Sequence, residues 1–232
     1  MTIHTPVSDL PHFSLDEYDA IIFDLGGVIL HLNYQASVHA LSALLGQDVS
    51  PLYSQAAQAQ LFDAYECGNI TSQDFRRGLI ELLPQNQPAY IARLNDADFR
   101  DAFDEAWSAL LLDIPAQTLR LLDELKRSKQ TFLLSNTNEV HLLHFRRAYA
   151  TRHARAHGPF DELFHAAYYS HELRQRKPDQ RIFETVIARH GLNPGRTLFV
   201  DDNPQNVASG RSVGLSAYLH PTNASLHDRF HS

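Results

Sequence analysis

Residues 20–28 read AIIFDLGGV and join a short apolar run to Asp24 and a pair of glycines. The run contains two β-branched residues and stops at turn-forming residues. Such a pattern is typical of a buried strand rather than of a helix. It places a carboxylate at the end of a strand, and open parallel sheets bind their ligands at the carboxyl ends of their strands.

Two later segments repeat this pattern of an apolar run followed by polar side chains. Residues 131–134 end at Ser135, and residues 197–200 end at Asp201 and Asp202. We expect these strands to lie in the same sheet as the first, so that their polar ends share one edge.

Helical patterns lie between the strands. They occupy residues 115–126, 178–190 and 204–213, while residues 163–169 and 215–219 are weaker strand candidates. Strands that alternate with helices indicate βαβ units with right-handed crossovers. The predicted fold is therefore an α/β Rossmann-like parallel sheet of about five strands.

One long segment, residues 34–112, breaks this alternation and contains only helical patterns. Its helix candidates are residues 35–45, 51–65, 71–83 and 96–111. We predict an N-terminal extension at residues 1–18 and an α/β core made of residues 19–33 and 113–232. Residues 34–112 are predicted to form an all-helical cap, called the helical insertion below.

Composition restricts the partners of this 232-residue chain. Its 27 acidic residues outnumber its 20 lysines and arginines, for a formal net charge of -7, which argues against nucleic acid and membrane partners. A single cysteine, Cys67, cannot form an internal disulfide and fits a reducing compartment. Residues 1–18 lack the pattern of a secretory signal. We expect a cytoplasmic protein, monomeric or dimeric.

The three aspartates at strand ends suggest a cation site. Asp24, Asp201 and Asp202 would repel one another if they met at one crevice, unless a cation shared the site. Mg²⁺ suits such a set because it binds a few hard oxygen ligands and keeps several waters. Taken singly, each acid is better explained as a turn former or a helix cap.

Two further segments could bind an anion. Ser135 and Asn136 precede a predicted helix, where a hydroxyl and backbone N–H groups suit a phosphate, although an ordinary helix cap has the same composition. Lys177 stands directly before another helix and could neutralise a phosphoryl group. The alternative is a solvated lysine in a basic loop with Arg174 and Arg176.

The four segments follow one another in a fixed order. They read FDLGGV at residues 23–28, LSNT at 134–137, RKPD at 176–179 and FVDDN at 199–203. This order resembles the haloacid dehalogenase-like hydrolase superfamily over about residues 19–220, and the helical insertion matches the position of that family's helical cap. The motif segments look most like the bacterial sugar-phosphate phosphatases of the superfamily.

The resemblance implies a Mg²⁺-dependent phosphatase that hydrolyses a small phosphomonoester, such as a sugar phosphate, through an aspartyl-phosphate. The implied nucleophile is Asp24, with Lys177 and Ser135 as further catalytic residues. The implied metal ligands are Asp24, the carbonyl of Gly26, Asp202 and Asp201. The implied phosphate and substrate contacts are Ser135, Asn136, Lys177, Gly26 and Asn138.

The chain departs from the family pattern at Gly26, where most phosphatases of the superfamily carry an aspartate that acts as general acid and base. Its loss typically lowers the rate by about 10²–10⁴-fold unless another group compensates. The candidate substitutes are His31, Asn138 and His141. A second departure is Asn206, where many relatives have an aspartate that supports the metal ligands.

Substrate choice is expected to depend on the helical insertion and its hinge. The candidate contacts are Asn33, Tyr34, Tyr53, Tyr65, Glu66 and Trp107. Other readings stay open, namely a hydrolytic dehalogenase of the same fold, which needs no Mg²⁺, and a non-catalytic phosphate-binding regulatory protein. A receiver-like signalling domain fits less well, because it leaves the helical insertion unexplained.

Overall fold

The computed structural model describes residues 14–50, 55–83, 85 and 87–230. Five parallel strands form a single sheet in the order β3-β2-β1-β4-β5. They are β1 (Ala20–Phe23), β2 (Gln130–Ser135), β3 (Ala166–Tyr169), β4 (Thr197–Asp201) and β5 (Ser216–Leu219). The predicted α/β parallel sheet is confirmed.

The central strand β1 is buried along its whole length. Alternate side chains enter two different cores, because Phe23 joins the hydrophobic cluster on one face of the sheet and Ile22 joins the cluster on the other. The register sets Phe23 beside Leu133 of β2 and Val200 of β4. The residues that follow in all three strands therefore meet at one edge of the sheet.

The described part of the helical insertion contains five helices between β1 and β2. They are α1 (Tyr34–Leu45), α2 (Gln55–Glu66), α3 (Ser72–Glu81), α4 (Gln87–Arg93) and α5 (Ala97–Ser108). Helix α4 was not predicted, and residues 51–54 of the second predicted helix lie outside the described residues. Helix α3 begins with a capping box, in which Thr71 and Asp74 are bonded reciprocally.

The helical insertion has a hydrophobic core of its own. Phe75, Phe103 and Trp107 are buried in it, and Val140 of the α/β core contributes to the same cluster. The insertion therefore packs as a unit that contacts the sheet domain near residue 140. The predicted domain boundaries stay a prediction.

Seven helices complete the core in the described residues. They are α6 (Ala116–Ser128), α7 (Glu139–Arg152), α8 (Ala154–His157), α9 (Ser170–Leu173), α10 (Gln180–His190), α11 (Pro204–Ser212) and α12 (His227–Phe230). The weaker strand prediction at residues 163–169 begins too early, because Phe160–Leu163 is a 3₁₀ turn. Of the predicted N-terminal extension, residues 1–13 lie outside the described residues.

The two chain segments that join the insertion to the core run side by side. Leu32 and Leu111 form an antiparallel bridge, and the backbone N–H of Asn33 donates to the carbonyl of Leu110 at 2.8 Å. The helical insertion therefore leaves and re-enters the core through one short paired ribbon.

Asn223, in the loop after β5, fixes this ribbon to the core. Its side-chain amide donates to the carbonyl of Leu32 and accepts from the N–H of Leu32, both at 2.8 Å. Its own N–H donates to the carbonyl of Gly27 at 2.8 Å. Asn223 holds a left-handed backbone with φ of 60°, a conformation that asparagine tolerates better than most residues.

No helix in the described part of the chain has both the length and the apolar character needed to cross a membrane.

Candidate active site

An ammonium group lies between two carboxylates at the carboxyl edge of the sheet. Lys177 Nζ donates to Asp24 Oδ1 at 2.7 Å and to Asp201 Oδ2 at 2.6 Å. The side chains of Lys177 and Asp201 have no solvent exposure, and that of Asp24 has 12%. The structure thus brings Lys177 together with Asp24, 153 positions away in the chain, and with Asp201, 24 positions away.

Lys177 is held in place through its backbone as well as its side chain. Asn136, which directly follows β2, donates from Nδ2 to the carbonyl of Lys177 at 2.8 Å and accepts the N–H of Lys177 at 2.9 Å. This reciprocal amide pair fixes the loop before α10 to the end of β2. The predicted phosphate contact Asn136 therefore acts here as a positioning group for Lys177.

Asp201 is oriented by two asparagines. The N–H of Asn203 donates to Asp201 Oδ1 at 2.8 Å, and Asn206 Nδ2 donates to both carboxylate oxygens at 3.0 and 3.1 Å. An amide at position 206 supplies hydrogen bonds without adding negative charge next to Asp201.

Asp202 completes a cluster of three carboxylates. Asp24, Asp201 and Asp202 each offer an oxygen, and these oxygens lie within 4.8 Å of one another. Thr222 donates to Asp202 Oδ2 at 2.8 Å. The turn at Gly27 leaves room for this arrangement, because φ there is +77° and a Cβ atom would lie 2.1 Å from Asp202 Oδ2.

The charges in the cluster are only partly balanced. Burial raises the pKa of Asp24 to about 7, against the lowering effect of the Lys177 ammonium. Burial, together with the charge of Asp201, also raises the pKa of Asp202, against the hydrogen bond from Thr222. Burial alone would lower the pKa of Lys177, but the carboxylates of Asp201 and Asp24 outweigh it and raise that pKa. A further cation would stabilise the ionised carboxylates.

A cavity of about 720 Å³ opens between this edge of the sheet and the helical insertion. Gly26, Ser135, Asn136 and Asn138 line it on the core side. Asn138 is also the N-cap of α7, because its Oδ1 accepts the N–H of His141 at 3.0 Å. Four of the five predicted phosphate-contact residues thus line one cavity, and the fifth, Lys177, is bonded to Asn136 at its edge.

Residues 18–214 match the sequence model of the haloacid dehalogenase-like hydrolase family. The chain belongs to this family of hydrolases. The match includes all four motifs and the helical insertion between the first two.

Named relatives cover most of the chain. A D-ribitol-5-phosphate phosphatase from Bacteroides thetaiotaomicron is 25% identical over 85% of this chain and 89% of its own. A crystal structure of a family enzyme from the same organism, in complex with magnesium and inorganic phosphate, is 26% identical, with a TM-score of 0.76 over 92% of this chain and 99% of that one. A predicted family hydrolase from Porphyromonas gingivalis is 29% identical, with a TM-score of 0.74 over 90% and 94%.

In this hydrolase, the far side of the cavity contains an ion-pair network that the sequence did not suggest. Arg176 Nη1 donates to Asp63 Oδ1 at 2.5 Å, and Arg176 Nε donates to Glu66 Oε2 at 3.0 Å. All three residues line the cavity. Arg176 therefore joins the loop that carries Lys177 to helix α2 of the insertion.

His141 of the hydrolase packs against the insertion. Its ring stacks on Trp107 with centroids 5.1 Å apart, and Nε2 lies 3.4 Å from the carbonyl of Trp107. Its Nδ1 lies 3.2 Å from Asn138 Nδ2. Burial lowers the pKa of His141 to about 4, against the hydrogen bond to Trp107. The imidazole is therefore neutral near pH 7, which counts against His141 as the substitute proton donor.

The remaining predicted contacts fall into two groups. Tyr34, Glu66 and Trp107 line the cavity. Tyr65 instead stacks on Phe75 inside the core of the insertion. His31 and Asn33 lie on the paired ribbon, and neither is among the described residues that line the cavity. Tyr53 lies outside the described residues.

Proposed function

We propose that this hydrolase is a Mg²⁺-dependent phosphatase that hydrolyses a small phosphomonoester of a sugar or sugar alcohol through an aspartyl-phosphate. The observation that carries the proposal is the cluster of Asp24, Asp201 and Asp202 beside the buried ammonium group of Lys177. A phosphate dianion cannot approach a carboxylate nucleophile unless positive charge offsets the repulsion.

The donor atoms of the cluster fit Mg²⁺. They are carboxylate oxygens, the hard ligands that this ion prefers. Burial, with smaller effects of the neighbouring carboxylates, raises the pKa values of Asp24 and Asp202, and a bound cation would oppose this rise. Asp24, Asp202 and the carbonyl of Gly26 would hold the ion, with Asp201 as a further ligand or as the group that orients it. When bound, Mg²⁺ supplies Lewis-acid stabilisation of the phosphoryl oxygens.

The chemistry assigned to the side chains has two displacements at phosphorus. In the first, an Asp24 oxygen bonds to phosphorus while the bond to the leaving alcohol oxygen breaks, and that oxygen takes up a proton. In the second, water attacks phosphorus, loses a proton, and releases inorganic phosphate and the free carboxylate. Lys177 would neutralise equatorial phosphoryl oxygens, with Ser135 donating from the end of β2.

The proton for the leaving alcohol has no assigned donor in this chain. Gly26 stands where related phosphatases carry an aspartate, and the neutral ring of His141 does not fill the role. We therefore expect slow turnover of poor leaving groups and faster turnover of aryl or acyl phosphates, whose leaving groups need less protonation.

Two relatives support the substrate class. One carries the name D-ribitol-5-phosphate phosphatase and the other was solved with magnesium and inorganic phosphate. The cavity offers polar groups next to an apolar wall, which suits a short chain of hydroxylated carbons.

A phosphomonoester panel tests the proposal. Wild type is expected to release phosphate from p-nitrophenyl phosphate and from pentitol or sugar phosphates with Mg²⁺, and to lose this activity in EDTA. The Asp24→Asn variant is expected to lose at least about 10³-fold in kcat, because an amide is not a nucleophile for this step.

Two other results would point to the alternative functions. Halide release from a 2-haloacid that persists in EDTA would identify a dehalogenase. Phosphate binding without turnover, equal in wild type and Asp24→Asn, would identify a non-catalytic binding protein and overturn the proposal.

A further inference from the structure

The ion pairs that Arg176 forms in the cavity set a limit on the charge of the substrate. Arg176 shares its guanidinium between Asp63 and Glu66, whose side chains are 52% and 22% exposed. Two carboxylates therefore face one guanidinium, and the formal charge of the group is negative, although burial raises the pKa of Glu66 against the effect of Arg176. Both the Nε and the Nη2 of Arg176 contact Glu66 Oε2, at 3.0 and 2.9 Å.

The helical insertion offers no other cation to the cavity. In sequence it contains ten acidic residues, four arginines and no lysine. Arg76 pairs with Asp104 at 2.6 Å, and Arg93 lies over its own neighbour Phe99. None of the four arginines is among the described residues that line the cavity.

The core side of the cavity gives no spare cation either. Lys177 is committed to Asp24 and Asp201 with no solvent exposure. His141 lines the cavity, but its ring is stacked on Trp107 and bonded at both nitrogens. Among the described lining residues, Arg176 is thus the one permanent cation, and it is already neutralised.

The ion-pair network of Arg176, Asp63 and Glu66 would interact differently with a hydroxyl group and with an anionic group of the substrate. A hydroxyl can donate to the carboxylates of Asp63 or Glu66 and accept from Arg176 at the same time. A carboxylate or second phosphate would face two like charges in a partly desolvated space, which is strongly unfavourable. The cavity would therefore discriminate between uncharged and anionic leaving groups largely because Asp63 and Glu66 repel the anionic ones.

We propose that the cavity selects phosphomonoesters whose leaving group is an uncharged polyhydroxylated chain, and that Asp63 and Glu66 reject leaving groups with a second anionic group. This inference rests on the proposed phosphatase function and adds the exclusion of substrates that carry a second anionic group. Glu66 and Asp63 are specificity residues in this scheme, and Arg176 is the group that positions them.

A matched pair of compounds tests the selection. A pentitol 5-phosphate and the corresponding pentonate 5-phosphate differ only at the end remote from the phosphate, where a carboxylate replaces a hydroxymethyl group. Each compound is titrated, in the presence of Mg²⁺, as a competitive inhibitor of p-nitrophenyl phosphate hydrolysis. We expect the pentonate to have an inhibition constant at least tenfold higher than the pentitol.

Variants assign the effect to the ion-pair network. Glu66→Gln removes one carboxylate from Arg176, so the ratio of the two inhibition constants is expected to fall at least threefold, and Asp63→Asn is expected to act in the same direction. Asp101→Asn, at an exposed position on α5, removes an equal charge from the same insertion and is expected to leave the ratio unchanged.

The outcomes separate this inference from the proposed function. If wild type hydrolyses p-nitrophenyl phosphate but the ratio of the pentonate to the pentitol inhibition constant is one or lower, the inference is wrong. The proposed phosphatase function is then unaffected. A ratio that neither Glu66→Gln nor Asp63→Asn changes would overturn the assignment to this network. Absence of p-nitrophenyl phosphate hydrolysis in wild type would count against the phosphatase itself. A variant that retains p-nitrophenyl phosphate turnover is thereby shown to be folded.

Discussion

The ammonium group of Lys177 is the sole hydrogen-bonded cation described for Asp24 and Asp201, at 2.7 and 2.6 Å. Removal of one partner from a buried ion pair leaves an uncompensated charge, which typically destabilises a protein by about 3–5 kcal/mol. We expect Lys177→Met, measured by urea unfolding in EDTA at pH 7, to lose stability in this range.

This loss should shrink at lower pH. The pKa of Asp24 is already raised to about 7 by burial in the folded protein, and loss of the ammonium raises it further, so the folded variant binds a proton at a higher pH than wild type does. The deficit of Lys177→Met is therefore expected to be smaller at pH 7 than at pH 9, because wild type also protonates Asp24 below its pKa of about 7. Lys126→Met, at a partly exposed lysine, serves as the control. A pH-independent deficit would contradict the assignment.

His141 gives a second pH dependence of opposite direction. Its pKa is lowered from 6.5 to about 4 in the folded protein, so between these values the unfolded chain binds a proton that the folded chain does not. The free energy of unfolding should fall as the pH drops from 6.5 to 4, by up to about 3 kcal/mol at ~1.4 kcal/mol per unit. Below pH 4 this contribution levels off.

The comparison that isolates His141 is with His141→Gln, which keeps a polar side chain but does not titrate. Wild type should lose stability relative to this variant between pH 7 and pH 4.5 in chemical unfolding experiments. A difference that stays constant over that range would show that His141 titrates normally.

Individual residues show where sequence reasoning reaches its limit. The order of the motifs predicts that Asp24, Lys177 and Asp201 meet, because parallel strand ends share one edge of the sheet. The partners of Arg176 could not be predicted, since Asp63 is 113 positions away on a helix whose docking is decided by packing. Asn223 was missed for the same reason: its partner Leu32 is 191 positions away.

At the level of elements, the three central strands were predictable because each contains a short, buried apolar run that ends at polar residues. Helix α4 (Gln87–Arg93) was not, because it has only seven residues and none of those described is fully buried, so it lacks a long hydrophobic period. The early start assigned to β3 has a similar cause, since Leu163 and Phe164 are buried although they precede the strand.

The ribbon that carries the insertion gives a prediction at this scale. Asn223→Gly keeps the left-handed backbone but loses both amide bonds to Leu32, which we expect to lower stability by about 1–2 kcal/mol. Asn223→Ala loses the same bonds and adds the strain of a Cβ atom at positive φ, for roughly 1 kcal/mol more. Urea unfolding measures whether Asn223→Ala is less stable than Asn223→Gly. Equal stabilities would show that a Cβ atom at this backbone conformation causes no strain.

For the molecule as a whole, the formal charge of -7 should repel a phosphate dianion as it approaches. Screening shortens the reach of this field from about 30 Å at 0.01 M salt to about 10 Å at 0.1 M. We expect kcat/KM for a phosphomonoester to rise roughly twofold over that range, with kcat at saturation serving as the internal control. A steep fall in kcat/KM would instead indicate local positive steering at the cavity mouth.

The pairing of Leu32 with Leu111 places the two ends of the helical insertion side by side. To the sheet, the whole insertion is then equivalent to a hairpin loop, whatever its length, because the entropy of closing a loop grows only with the logarithm of its length. Such a junction tolerates exchange of the inserted segment. A different helical insertion could replace this one during evolution and bring a new substrate preference, without a change in the strands that carry the carboxylates.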